Sequence, residues 1–197
     1  VRRSGKTYIL FYLMRILLNN NKTPKKNIIY INFEDERLDL KSQELDLIIQ
    51  AYRELYPDKN LKDCYFFFDE IQNISGWEKF TRRMYDSISR HIFITGSNSK
   101  LLSREISTSL RGRTLSYDIF PLSFREYLGF KKIDIDLYDI KTKSKIKHLF
   151  EKYLFEVGFP EVINYTKNIQ EKILQEYFDV MIYRDIAERY KLTNLSV

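Results

Sequence analysis

Two short runs carry residue types that could do chemistry on a phosphate. The first is Val1-Arg2-Arg3-Ser4-Gly5-Lys6-Thr7 at the start of the chain. It supplies all but the first glycine of the pattern G-x-x-x-x-G-K-[ST], in which backbone N–H groups at a helix start wrap phosphate oxygens. In that reading the amides of Arg3, Ser4 and Gly5 face the anion, and Gly5 lets the backbone come close. Lys6 neutralises β- and γ-phosphate charge, and the Thr7 hydroxyl ligates Mg²⁺. The second run, Cys64-Tyr-Phe-Phe-Phe68-Asp69-Glu70, is an apolar strand pattern that ends in two carboxylates. Asp69 at such a strand end would hold Mg²⁺ through water, and Glu70 would polarise the attacking water as a general base. A Glu in that place argues for transfer to water, so hydrolysis is expected rather than a kinase reaction. The bland alternatives are a chance Gly-Lys-Thr and a strand closing on solvated acids; the two runs in this order outweigh them.

Two further segments belong to the same chemistry. His91–Thr95 reads as a strand running into Gly96-Ser97-Asn98-Ser99, where Ser97 or Asn98 would stand near a γ-phosphate and position the water. Asn98 or Ser99 would equally serve as a helix cap. Leu110-Arg111-Gly112-Arg113-Thr114 follows, and Arg113, ahead of Arg111, would act as an arginine finger within the chain or across a subunit boundary. A basic turn paired with surface acids is the ordinary alternative.

The elements that must hold these groups alternate. Thr7–Asn20 carries Leu10, Leu13, Met14 and Leu17 at helical spacing; Asn27–Phe33 and Cys64–Phe68 read as buried strands; Ser42–Tyr56 and Trp77–Arg90 read as helices. Ser99–Leu110 reads as a helix and Thr114–Phe120 as a last strand. Such alternation predicts an α/β fold with a parallel sheet. From Pro121 onward the pattern is helical only. Ser123-Phe-Arg-Glu126 is a capping box for a short helix ending before Gly129, and 131–143 reads as a linker. Ser144–Val157 is a helix stopped at Gly158, and a long helix starts near Asn168. The expected domains are therefore residues 1–121, a nucleotide-binding core, and 122–197, a helical region.

Composition sets the outer limits. The chain has 197 residues, 44% hydrophobic and 15% aromatic, too apolar for a disordered segment. No run approaches the roughly 20 apolar residues that span a bilayer, so no membrane partner is expected. One cysteine, Cys64, with two histidines, His91 and His148, makes a structural zinc site unexpected and fits a reducing cytoplasm. The net charge of +6 resides mainly in residues 1–121, with 20 basic and 15 acidic side chains, against 13 and 12 in 122–197. That balance permits DNA as a partner without arguing for it. Trp77 reads as packing, Arg82 and Arg83 as a solvated helix face, and Glu34-Asp35-Glu36 as an acidic turn with a secondary claim to orient metal or water. Arg184–Glu188 and Asp185–Arg189 read as helix-stabilising pairs of opposite charge.

Taken in order, R-R-S-G-K-T, Y-I-N-F-E-D, D-E-I-Q-N-I-S-G-W-E, I-T-G-S-N-S and R-G-R-T…F-P-L-S-F-R-E-Y-L resemble archaeal and bacterial AAA-type ATPases close to the STAND group. G-F-P-E-V-I and Y-R-D-I-A-E-R-Y resemble the start of the C-terminal domain of unknown function that those proteins carry. The resemblance covers nearly the whole chain. It implies a P-loop NTPase core of the ASCE type, with Glu70 on the strand between the loop's own strand and the sensor strand. It also implies ATP and Mg²⁺ as cofactors, Lys6 and Thr7 as their ligands, Asp69 as the Walker B acid, Ser97 or Asn98 as sensor, and Arg113 at the family's Gly-Arg pair. The first loop glycine and the strand leading into it fall before Val1, so the chain is expected to be a piece of a longer protein. The function expected is Mg²⁺-dependent ATP hydrolysis used as a conformational switch, with a protein partner or homo-oligomer left open. The alternatives are a nucleotide-gated DNA- or protein-binding module with negligible hydrolysis, and a purely structural fragment.

Overall fold

The computed structural model describes residues 3–20, 23–97, 110–136 and 138–181. The chain forms two compact units, one of Lys6–Tyr117 and one joining Val1–Gly5 to Asp118–Val197.

The first unit is built on three parallel strands, β1 (Ile28–Asn32), β2 (Tyr65–Asp69) and β3 (His91–Ile94), in the order β1-β2-β3. In register, Ile28 stands beside Tyr65 and Asn32 beside Asp69 on one side, and Tyr65 beside His91 on the other. The strands are joined through helices α2 (Asp46–Leu55) and α3 (Trp77–Ser87), while α1 (Lys6–Asn19) precedes β1. β2 is central and buried on both faces, which is why it reads as an unbroken apolar run; Phe66, Phe67 and Phe68 are fully buried. Strand alternation divides them. Phe66 and Phe68 enter the core with Ile48, Ile49 and Tyr52 of α2 and Trp77, Phe80 and Met84 of α3. Phe67 faces the other way and stacks on Phe93 at 4.7 Å. Trp77 is buried, as packing requires.

Several boundaries differ from expectation, each for a local reason. The resemblance set the strand of Glu70 between the loop's own strand and the sensor strand. A strand has only two hydrogen-bonding edges, and those of β2 are taken by β1 and β3. Residues 114–120 form no strand; Leu115, Tyr117 and Phe120 are exposed. Their strand propensity reflects fit to a pleated, half-buried surface, and among the described residues no neighbour pairs with them. The helix expected from Ser42 begins with a single 3-10 turn, Ser42–Glu44, before α2. α3 ends at Ser87 because Ile88 and Ser89 both turn their N–H groups back to the Met84 carbonyl. Of the Ser99–Leu110 helix, residues 99–109 lie outside the described residues and Leu110 is in a turn; the 184–189 pairs also lie outside them.

In the second unit the described helices are α4 (Phe124–Phe130), α5 (Ile140–Glu156) and α6 (Lys167–Val180). The Ser123 capping box forms: its hydroxyl accepts from the Glu126 N–H, and the Glu126 carboxylate accepts from the Ser123 N–H at 2.7 Å. α4 passes through Gly129 instead of stopping before it, and the left-handed residue falls at Lys132. α5 starts at Ile140, inside the 131–143 stretch expected to be a linker, because Asp139 caps it by accepting from the Thr142 N–H at 2.7 Å. That bond holds the Asp139 carboxyl below its ordinary range. Tyr127, Leu128 and Ile163 form the buried centre, with Phe124 edge-on to Phe150. Glu156 is also buried there, with Oε1 accepting from Gln170 and lying 3.4 Å from Lys152 Nζ.

α5 is capped by Val157, itself left-handed at a φ of +52°, rather than by Gly158; Gly158 follows at +67°, and a Cβ added there would lie 2.3 Å from the Leu122 carbonyl oxygen. Leu122 and this turn are also joined by Leu122 N–H donating to the Gly158 carbonyl and Tyr153 Oη donating to the Leu122 carbonyl, each at 2.8 Å.

Two outcomes are expected. Phe68→Ala empties the middle of the first core and costs about 3–5 kcal/mol, read by chemical denaturation with Trp77 fluorescence as probe. Gly158→Ala forces a Cβ into a left-handed site against a carbonyl and costs the second unit about 1–3 kcal/mol. In hydrogen exchange it speeds the amides of 122–163 and leaves those of β2 unchanged.

Candidate functional site

Parallel strands end on the same edge, so the residues that follow β1, β2 and β3 gather there. At the end of β2 the Asp69 carboxylate is 1% exposed. A charge removed from water needs bonded partners, and two hydroxyls supply them. Tyr30 Oη of β1 donates to Oδ2 at 2.9 Å, and Thr95 Oγ1, just past β3, donates to Oδ1 in a short bond. Burial first, and then the bond to Asp69, push the Tyr30 phenol well above the ordinary tyrosine value, so it remains a donor at any physiological pH.

Glu70 leaves the strand in a left-handed conformation, φ 51°. Its N–H donates to Thr95 Oγ1 at 3.2 Å, so one hydroxyl joins both acids. Glu70 Oε2 accepts from Gln72 Nε2 at 2.6 Å, from the Ser97 N–H at 3.1 Å and from Ser97 Oγ at 2.7 Å. Glu70 Oε1 lies 3.9 Å from Lys6 Nζ, and both side chains are largely buried, at 12% and 14% exposure. Lys6 opens α1, and Thr7 follows it in the first turn, half-buried. Lys6, Asp69, Glu70 and Ser97, picked out in the sequence, therefore converge at one sheet edge. Asn98 lies outside the described residues.

Arg113 is engaged elsewhere in this unit: its Nε lies 2.9 Å from Asp86 Oδ1 of α3. Arg83 pairs with Asp46. In the acidic turn, Asp35 is chelated by Arg37 at 2.6 and 2.9 Å, and that guanidinium holds its carboxyl at about 2.

The remaining loop residues belong to the second unit. Arg3 and Gly5 both have positive φ, 59° and 96°, and Ser4 between them is buried. The Arg3 guanidinium bonds Glu161 at 3.1 and 3.3 Å and lies 5.3 Å from the centre of the Tyr177 ring; Tyr177 Oη also donates to Glu161, at 2.7 Å. Burial and the Glu161 bond raise the Tyr177 phenol to about 12.

Sequence reading missed three side chains of this cluster. Thr95 reads as the strand end, and the polar residues after it draw the expected role. Gln72 and Tyr30 stand within runs that carry the family resemblance, but residue type alone attaches no chemical role to either; only the register, which places Tyr30 beside Phe67 and two residues short of Asp69, reveals the latter. Among the described residues no group of three His, Cys, Asp or Glu side chains is placed to hold a metal, and no helix is long and apolar enough to cross a membrane. A Mg²⁺ held by phosphate oxygens, waters, one hydroxyl and one carboxylate needs no such group. Asp69 fits that use: each of its oxygens can accept two hydrogen bonds and receives one hydroxyl.

The chain is 44% identical over its whole length to the uncharacterised protein MJ1544 of Methanocaldococcus jannaschii, covering 42% of that protein. It is 37% identical over 96% of its length to an uncharacterised protein of Haemophilus influenzae, covering 45% of it. A second M. jannaschii protein, MJ1637, is 29% identical over 95% of the chain and is covered to 36%. The chain thus spans less than half the length of these curated relatives. No solved structure matches it significantly. A family model described as an AAA domain matches residues 1–128, about two thirds of the chain, and on that match the chain belongs to the AAA domain family of P-loop ATPases.

Proposed function

We propose that the chain is the ATP-binding and ATP-hydrolysing part of a Mg²⁺-dependent ATPase of the AAA/STAND type that acts as a conformational switch. The observation that carries this reading is the meeting of Lys6, Asp69, Glu70 and Ser97 at one edge of a parallel sheet. The amides of Arg3, Ser4 and Gly5 bind phosphate oxygens at the start of α1, and Lys6 neutralises their charge. Thr7 and Asp69 hold Mg²⁺, which screens the charge that develops on the phosphates. Glu70 takes the proton of the attacking water, with Ser97 or Asn98 orienting that water. Arg113 is the arginine finger in this reading. The nucleotide core lies within residues 1–121, and 122–197 begins a C-terminal domain.

The contacts of Glu70 suggest the order of events. Lys6 Nζ lies 3.9 Å from its Oε1. A triphosphate competes for that cation, so nucleotide binding draws Lys6 away from the Glu70 carboxylate and leaves Oε1 to face the attacking water.

In the full-length protein, Glu70→Gln should keep ATP binding within about threefold and lower turnover roughly 10²–10⁴-fold, the span of general-base catalysis. Lys6→Ala should weaken binding itself by at least about tenfold. Binding without turnover in the wild type would favour a nucleotide-gated binding module. Turnover unchanged in both variants would overturn the assignment of the site.

A further inference from the structure

We infer that Tyr30, a residue of β1 outside every phosphate-binding motif, is the positioning residue that sets the metal-binding carboxylate; the inference rests on the ATPase reading above. Its hydroxyl is bonded to Oδ2 of Asp69 at 2.9 Å, and Asp69 is almost completely buried. The ring itself is fixed. It lies on the Phe67 face of the sheet by register and meets Phe11 of α1 at 5.3 Å between centroids. The other described positions of β1 are Ile28, Ile29, Ile31 and Asn32. A phenylalanine at position 30 would make the same ring contacts, so packing alone does not account for the oxygen.

The consequence for a metal follows from counting acceptor sites. Tyr30 and Thr95 each fill one site, on opposite oxygens of Asp69. The carboxylate is thereby held against rotation about its Cβ–Cγ bond, and one acceptor site on each oxygen remains for a metal-bound water. Outer partners that orient a ligand in this way typically contribute about 10–100-fold to metal affinity. Tyr30 also touches α1, the helix that begins with Lys6 and Thr7. One side chain therefore bridges the helix that carries the hydroxyl ligand and the strand that carries the carboxylate.

The test is Tyr30→Phe in the full-length protein, which removes one oxygen and leaves the ring contact with Phe11. A fluorescent ATP analogue measures nucleotide affinity in EDTA, and electron paramagnetic resonance counts bound Mn²⁺ as the probe of the Mg²⁺ site. The expected result is metal-free nucleotide affinity within about twofold of wild type, with Mn²⁺ affinity of the nucleotide complex lower by about tenfold or more. Asp69→Asn supplies the control that a purely structural role would fail. With the metal carboxylate gone, adding Tyr30→Phe produces no further loss of Mn²⁺ affinity. Trp77 fluorescence verifies the fold of each variant. Wild-type Mn²⁺ affinity in a folded Tyr30→Phe protein overturns this inference alone, as does an equal further loss in the Asp69→Asn background. A wild-type protein that binds no nucleotide overturns the ATPase reading and this inference with it.

Discussion

A carboxylate at the end of a strand of phenylalanines is the constraint around which the first unit is organised. Asp69 is out of water, and an ionised group there is tolerated only when its oxygens are bonded. Its donors come from the strands on either side, Tyr30 of β1 and Thr95 after β3. The bonds are long in sequence and short in space. They require β1, β2 and β3 to be parallel and in their observed register, because a one-residue slip would turn Tyr30 to the opposite face. The sheet order and the state of Asp69 therefore depend on each other.

Glu70 shows the same economy one residue later. The backbone turns left-handed as it leaves the strand, and its N–H shares Thr95 Oγ1 with Asp69. The side chain is then held by Ser97, Gln72 and Lys6. Two adjacent carboxylates thus occupy different surroundings. One is enclosed by neutral hydroxyls and the other faces a cation, which gives a single acidic dipeptide two distinct capacities.

What could be read from the sequence was whatever is encoded locally. The run Phe66-Phe67-Phe68 before Asp69 and Glu70 announces a central strand because burial on both faces leaves no polar alternation. Lys6 and Glu70 are legible because their chemistry depends on residue type near a turn. Tyr30 and Thr95 are not, because a tyrosine within a strand and a threonine at its end have many uses, and only register selects this one. Thr114–Phe120 shows the converse: strand-forming residues form no strand where, among the described residues, none pairs with them. Asp139 was passed over because a short acidic cap inside a charged stretch looks like linker until the Thr142 amide is seen to bond it.

The contact of Arg3 with Glu161 and Tyr177 has a thermodynamic consequence. An exposed ion pair and a cation–π contact together contribute on the order of 1–2 kcal/mol. A guanidinium cannot serve a second anion at full strength while it holds these two partners. Any loop conformation that withdraws Arg3 is therefore disfavoured by roughly tenfold relative to one that keeps it. Linkage makes that factor reciprocal: a ligand that selects one conformation of the loop changes the contacts of α6 by the same factor with which a partner bound to α6 would change the affinity of the loop.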